Sequence, residues 1–349
     1  MIRKLKVCFF STVKQEKLLA ENYSIQDIKI LQELGHEVIL ADSFSKIPFG
    51  CDLYFSWWAS GSILPLIKAI ISNKPIIVVA GGNEVMLYRD SLDGVSGGYL
   101  CTPLYKKIAT KIVLRWAAKV LIVSKFMKND ALRLGAKDPV VVHNCVDTEI
   151  FKPAKNNERK YVLSIFRLEE GTIKLKRGEI FIKAIAEVIK IFPDQEFIVI
   201  GKKGDAFTRL SKLIHELGIE KNVKLMGEIP NSEVLKWLQQ TKLYVQISDT
   251  ETFGLAIAEA MSCEVPVLVS NRGAIPEVVG ELGRYVDHND VQSVASGMIH
   301  YLSLPDAEQR ALGSSLRRRI EEKFPYEKRK ESIKKMINSI FLEQNTNEY

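Results

Sequence analysis

The feature that most constrains this chain is an alternation of short apolar runs with helix-periodic segments, carried through twice. Runs at Leu5–Phe10, Val38–Ala41, Leu53–Phe55, Ile76–Ala80, Val120–Val123 and Val140–Val142 read as buried strands. Helices are expected between them at 62–72, 103–116 and 124–134, the last capped by Ser124 and stopped by Gly135. Another opens at Ser24, read as a cap with Asp27 three residues on and Gly35 as its stop. A polar stretch, Lys152–Lys160, then breaks the rhythm as a linker. The alternation restarts with strands at Tyr161–Ile165, Phe197–Ile200, Val223–Met226, Leu243–Ile247 and Pro266–Val269. Helices follow at Arg177–Ile191, Phe207–Leu217, Ser232–Gln240, Gly254–Cys263 and Val291–Leu302. Strands alternating with helices imply parallel sheets wrapped on both faces. The expected fold class is therefore α/β, with two Rossmann-like domains, 1–152 and 153–326, whose sheets face an interdomain cleft. A terminal helix near 327–345 is expected to return to the first.

The 349 residues suit two domains, and a composition 46% hydrophobic and 26% charged fits a globular protein. The five cysteines are scattered and form no C-x-x-C pair, which supports neither a disulfide framework nor a zinc site. The longest apolar stretch, Ile63–Ala80, is broken by Pro65, Lys68, Asn73, Lys74 and Pro75, short of the ~18 uninterrupted residues of a membrane span. Val7–Phe10 is too short for a signal-peptide core, so a cytoplasmic protein is expected. The net charge of +7 is uneven: nine basic residues between Lys106 and Lys137 face one acid, Asp130. Such a stripe is either a solvated helix face or a docking surface. Trp116, Phe126 and Met127 among the charges suit an anionic membrane surface at the inner face of the cell membrane. No nucleic-acid-binding motif accompanies it, so nucleic acid is not an expected partner.

In open α/β sheets ligands bind beyond the carboxyl ends of the strands, here the loops after Ile247, Ile165, Ile200 and Ala80. After Ile247 a polar loop leads to a helix opening near Gly254, rich in small residues. A helix N-terminus presents free amides and partial positive charge, which suits a diphosphate. Glu251 precedes that helix and Glu259 lies about a turn and a half inside it. One carboxylate is placed to face a sugar, the other to accept hydrogen bonds from a vicinal diol such as a ribose. A capped helix with one solvent-facing glutamate fits the residues equally well. Ile200-Gly201-Lys-Lys-Gly204 is by itself a generic turn.

The stretch Glu251 to Glu259, Ala260-Met261 and Pro266-Val267 resembles the donor-site signature of the family 4 glycosyltransferases, which have the GT-B fold. Asn271-Arg-Gly-Ala-Ile-Pro276-Glu277 follows at the family's distance, and Val223 to Pro230, with Ile229, resembles the loop beside the nucleobase. Val123-Ser124 and Asn144 to Asp147 resemble the end of the first domain. The likeness covers about 119–345 well and 1–118 loosely. It implies a retaining, metal-independent transferase. No cofactor is expected, and a nucleotide-diphosphate sugar such as a UDP- or GDP-sugar serves as co-substrate. The acceptor stays open among a glycolipid, a polysaccharide and a glycan precursor, with a lipid-linked one among the candidates. By resemblance Gly201, Ile229, Thr252, Phe253, Gly254, Leu255 and Glu259 bind the donor, and Glu251 orients its sugar. Arg167 and a second cation neutralise the leaving diphosphate; Lys176 matches by residue type and Arg177 by position, and both remain candidates. Residues Glu170–Ile173 read as an insertion lengthening that loop.

The first domain departs from the family. The loop Ser11–Lys17 has no glycine, and Gly82-Asn83-Glu84 stands where many members place a histidine near the sugar. Those three are candidates for the acceptor or sugar side. Trp57 and Trp58 either line that side or pack in the core. A NAD-dependent dehydrogenase is disfavoured by the missing G-x-G-x-x-G after Phe10, and a phosphorylase-like enzyme by the short chain.

Overall fold

A computed structural model describes residues 4–15, 22–87, 98–155 and 158–346. It divides into two compact units, each built on one six-stranded sheet. The first holds the chain up to Cys145 together with the helix from Tyr326; the second spans Val146–Pro325. The sequence boundary at 152 thus lies a few residues after the change of unit.

In the first unit β1 (Lys6–Phe10), β2 (Glu37–Ala41), β3 (Leu53–Trp57), β4 (Ile76–Ala80), β5 (Lys119–Ile122) and β6 (Val140–Val141) run in the order β2-β1-β3-β4-β5-β6. Every pairing is parallel. β3 and β4 are buried at every residue, as unbroken apolar runs covered on both faces must be. From β3 to β6 the chain always steps the same way. Right-handed crossovers therefore put the helices Ile63–Ile71 and Leu104–Trp116 on one face of the sheet, where they pack against each other. The opposite step from β1 to β2 puts Asn22–Glu33 on the other face, with Tyr326–Thr346 against it.

Two capping expectations fail. Ser24 lies inside Asn22–Glu33, its hydroxyl buried and without a hydrogen-bond partner, so it is no cap. Asp27 instead accepts from Arg329 Nε (2.6 Å) and Nη2 (2.8 Å) and from Trp57 Nε1 (2.9 Å), all buried. Arg329 also donates to the carbonyls of Val142 and His143, so one satisfied buried pair fastens the C-terminal helix to the sheet. Ser124 precedes a 3₁₀ turn, Lys125–Met127, and the short helix Lys128–Arg133, and its side chain makes no capping bond. The loop Ser11–Lys17 is described only to Gln15; Glu16 and Lys17 lie outside the described residues.

The second unit orders β7 (Tyr161–Ile165), β8 (Glu196–Ile200), β9 (Val223–Gly227), β10 (Thr241–Gln246), β11 (Val267–Ser270) and β12 (Arg284–Val286) as β12-β11-β10-β7-β8-β9, all parallel. Its core sets Val162, Phe197 and Val245 of the sheet against Phe181 and Ile185 of the helix Gly178–Val188. The supposed insertion at 170–173 is the short helix Glu170–Leu175. The next helix begins one residue later than expected, because Arg177 sits in the left-handed region at φ +53°.

Candidate functional site

From β7 the chain moves outward through β8 and β9, then returns to lay β10 on β7's other side. That reversal is a topological switch point, where the loops leaving two adjacent parallel strands part and open a crevice. The loops after β7 and β10 carry Arg167, Lys176 and Glu251, so the residues singled out by chemistry are those that topology brings together.

Glu251 is half-buried, and its Oε1 accepts from three donors: Lys176 Nζ, Gln246 Nε2 and Ser248 Oγ (2.9 Å). Gln246 closes β10 and accepts from the buried Tyr244 hydroxyl (2.6 Å). Burial first, then the charges of Glu251 and Glu259, pushes Tyr244 well above the ordinary phenol range. The backbone of Glu251 is clamped from the other side. Gly273, at φ +59°, comes so close that a Cβ there would lie 2.5 Å from Glu251 N and O, and Ala274 N–H donates to Glu251 O (2.9 Å).

The left-handed turn at Arg177 sends two neighbouring cations opposite ways. Lys176 reaches Glu251, while Arg177, only 6% exposed, turns inward with Nη2 3.6 Å from Asp249 Oδ1. Asp249 is itself a junction. Its amide donates to Leu175 O (2.7 Å), and its carboxylate meets His288 Nε2 at 2.9 Å and Arg272 Nη2 at 3.7 Å. The loops after β7, β10 and β11 and the turn at 287–290 are tied through it.

The remaining donor-side residues fall into three settings. Gly254 (φ +95°) turns the chain into the helix Leu255–Ser262, whose first amides lack intrahelical acceptors; Thr252 and Leu255 are half-buried beside it. Glu259 is buried inside that helix, close enough to Cys263 to help burial push its thiol up to about 12. Phe253 turns into the core, ring to ring with Phe324 at 5.3 Å, so only its backbone is left for a ligand. Gly201 packs closely on the loop after β7. A Cβ there would lie 1.9 Å from Phe166 O, so the glycine lets β8 press against the backbone that carries the exposed Arg167. Ile229, half-buried, follows β9 next door.

In the first unit the switch point lies between β1 and β3. Gly61 after β3 packs on Thr12 after β1, and Trp58 holds φ +72°, a conformation bulky residues rarely adopt. Trp57 is core, bonded to Asp27, whereas Trp58 is half-exposed. Cβ atoms on Gly81 and Gly82 would each lie 2.5 Å from the rings of Trp57 and Trp58 respectively. Glu84 accepts from Ala59 N–H (3.3 Å), and desolvation raises its carboxyl to about 6. Asn83 lies beside it, half-buried. Among the described residues no group of three His, Cys, Asp or Glu is placed to hold a metal ion.

Sequence reasoning missed Gln246, Ser248, Asp249 and His288. Gln246 was visible as a polar residue ending an apolar strand; His288 stands 39 positions from Asp249, and no local pattern links them.

These two parallel sheets form a GT-B fold. A sucrose-phosphate synthase from Thermosynechococcus elongatus matches with TM-score 0.78 over 97% of this chain and 100% of that one, at 16% identity. HepE of Anabaena, solved with UDP and glucose, matches with TM-score 0.75 over 96% of this chain and all of that one, at 18% identity. Residues 146–319, nearly the whole of the second unit, match the family described as Glycosyl transferases group 1. It is 29% identical over 297 residues to one subunit of a phosphatidylinositol N-acetylglucosaminyltransferase from Arabidopsis thaliana, covering 74% of this chain and 65% of that relative's length.

Proposed function

We propose that this chain is a retaining, metal-independent glycosyltransferase of family 4 that moves a hexosyl-type sugar from a nucleotide-diphosphate donor to a lipid-linked acceptor. The observation that carries the reading is the Glu251 cluster: a carboxylate fixed by Lys176, Gln246 and Ser248 beside a glycine-opened helix at a switch point. The complexes of HepE with UDP and with UDP-glucose favour UDP as the nucleotide. The name of the Arabidopsis relative, a transferase acting on phosphatidylinositol, favours a lipid-linked acceptor at a membrane surface.

As the bond from the anomeric carbon to the diphosphate breaks, the sugar gains oxocarbenium character and negative charge collects on the departing phosphate. Lys176, Arg167 and the amides of the Leu255–Ser262 helix neutralise that charge from fixed positions. Glu251 commits Oε1 to its three donors, which leaves Oε2 to accept sugar hydroxyls and set the anomeric carbon's orientation. Glu259 takes the ribose diol. Arg177 works from behind, keeping Asp249 and the loops it ties in register. The first-unit cluster of Trp58, Gly82, Asn83 and Glu84 is the candidate for contacting the acceptor.

A thermal-shift screen of UDP-, GDP- and ADP-sugars against NAD tests the donor class, because a bound ligand raises apparent stability by mass action. Stabilisation by one nucleotide sugar, unchanged by EDTA, with the product's anomeric configuration equal to the donor's by NMR, is the expected result. Stabilisation by NAD alone, an absolute divalent-ion requirement, or an inverted product overturns the corresponding part.

A further inference from the structure

The helix Leu104–Trp116 turns an apolar face outward. Leu104, Tyr105, Ile108, Ile112 and Trp116 are all exposed, Leu104 at 72% and Trp116 at 64%. At 3.6 residues per turn these positions fall within an arc of about 120°, while Thr110, Val113 and Leu114 face the sheet. Lys111, exposed, borders the same arc, and Arg115, also exposed, falls just inside that edge. The neighbouring helix Ile63–Ile71, placed on the same face by the crossover rule and packed against the first, adds exposed Ile67, Ile70 and Ile71. Scattered exposed apolar residues are ordinary on a protein surface, but two adjacent helices aligned this way are not.

Charge selects the occupant. Neither helix carries an acid, and between Lys106 and Lys137 the one acid, Asp130, has its carboxylate turned to Leu87 N–H at 2.9 Å. Where the outward stripe ends at Trp116, a hollow of about 510 Å³ opens, whose lining includes the three cations Arg115, Lys119 and Lys137 and one acid, Asp138. An apolar stripe bordered by cations and ending in a basic hollow fits a bilayer with anionic phosphate headgroups: side chains enter the acyl boundary while lysines and arginines meet the phosphates. No helix among the described residues is long and apolar enough to cross a membrane, so the contact is made in the interfacial plane.

We infer that the first unit docks on an anionic phospholipid bilayer through the outward faces of helices Leu104–Trp116 and Ile63–Ile71. This deepens the membrane reading above and rests on it, yet it is independent of the donor site.

The test uses the full chain with phosphatidylcholine vesicles and with vesicles carrying phosphatidylglycerol. Sedimentation with the anionic vesicles, weakening as salt rises, is expected, together with a blue shift of tryptophan emission that Trp116→Phe abolishes. The double variant Ile108→Asp, Ile112→Asp should lose vesicle binding altogether. Lys111→Glu with Arg115→Glu should lower it on the order of tenfold or more, the effect of reversing two charges near the surface. All these positions are exposed, so melting temperature should hold, and the thermal shift with nucleotide sugar is measured on the same variants. Intact donor response with lost vesicle binding separates this surface from the active site. Full recovery in the supernatant with both vesicle types at low salt overturns the inference. Concentration-dependent dimerisation without lipid, abolished by the aspartate pair, would overturn it in favour of a second copy of the chain.

Discussion

Exchanging Lys176 and Arg177 for alanine one at a time separates charge used in catalysis from charge used to hold the fold. The two cations are sequence neighbours, and a motif cannot choose between them. The left-handed turn can, because it points Lys176 at Glu251 and buries Arg177 on Asp249. Removing Lys176 leaves Glu251 with Gln246 and Ser248, so stability should change by no more than about 1 kcal/mol. Turnover should fall about 10²–10³-fold, the usual consequence of deleting one preorganised group at a site of developing charge. Removing Arg177 strips one cation from a buried carboxylate that keeps His288 and Arg272. The cost should sit below the full penalty for orphaning a buried charge, at about 2–3 kcal/mol. For a unit of this size that lowers the melting temperature by roughly 4–12 °C. Turnover per folded molecule should fall less than in Lys176→Ala. Differential scanning fluorimetry and steady-state kinetics on the same preparations decide it. If Arg177→Ala melts like the parent and loses more turnover than Lys176→Ala, this reading of the turn is wrong.

Three further outcomes follow from single contacts. Glu84 has a carboxyl raised to about 6, so the folded state favours the proton and stability from this group declines as pH climbs from about 4.5 through 6, by on the order of 1–2 kcal/mol; Glu84→Gln should remove that slope, gaining melting temperature over the parent at pH 7.5 and not at pH 4.5. Gly201→Ala should cost about 1–3 kcal/mol by overpacking Phe166 and should raise the donor KM by displacing Arg167, read by fluorimetry and kinetics together. Arg329→Ala strands Asp27 in the core and should remove about 3–5 kcal/mol, visible in the midpoint of a urea titration.

Most of the framework was legible because it is local. Strands such as Ile76–Ala80 are continuous apolar runs, and a strand buried on both faces can scarcely be written otherwise. Helix ends were less legible. Ser24 satisfies the cap pattern, but a buried ion pair on the same helix decides where that helix lies. Asp27 is drawn inward by Arg329, 302 residues downstream, and the helix extends past the serine on its N-terminal side. Short-range signals such as a serine with a carboxylate three residues on carry no record of such a partner. β12, three residues long and only partly buried, has too little pattern to be seen at all.

The site divides along the same line. Glu251, Gly254 and Glu259 lie on one continuous segment, so their spacing encodes how they are placed relative to one another. The residues that hold Glu251 in place come from several segments: Lys176 from the loop after β7, Gln246 from the end of β10, Gly273 from the loop after β11. Their meeting is a property of strand order, since β11-β10-β7 are neighbours and every one of them ends on the same edge. Once parallel pairing is known, the loops that converge are fixed. What remains open is which side chain each loop sends forward, and one backbone torsion settles it. At Arg177 a positive φ reverses the order in which two cations would otherwise be presented, placing the lysine at the carboxylate and the arginine beneath it.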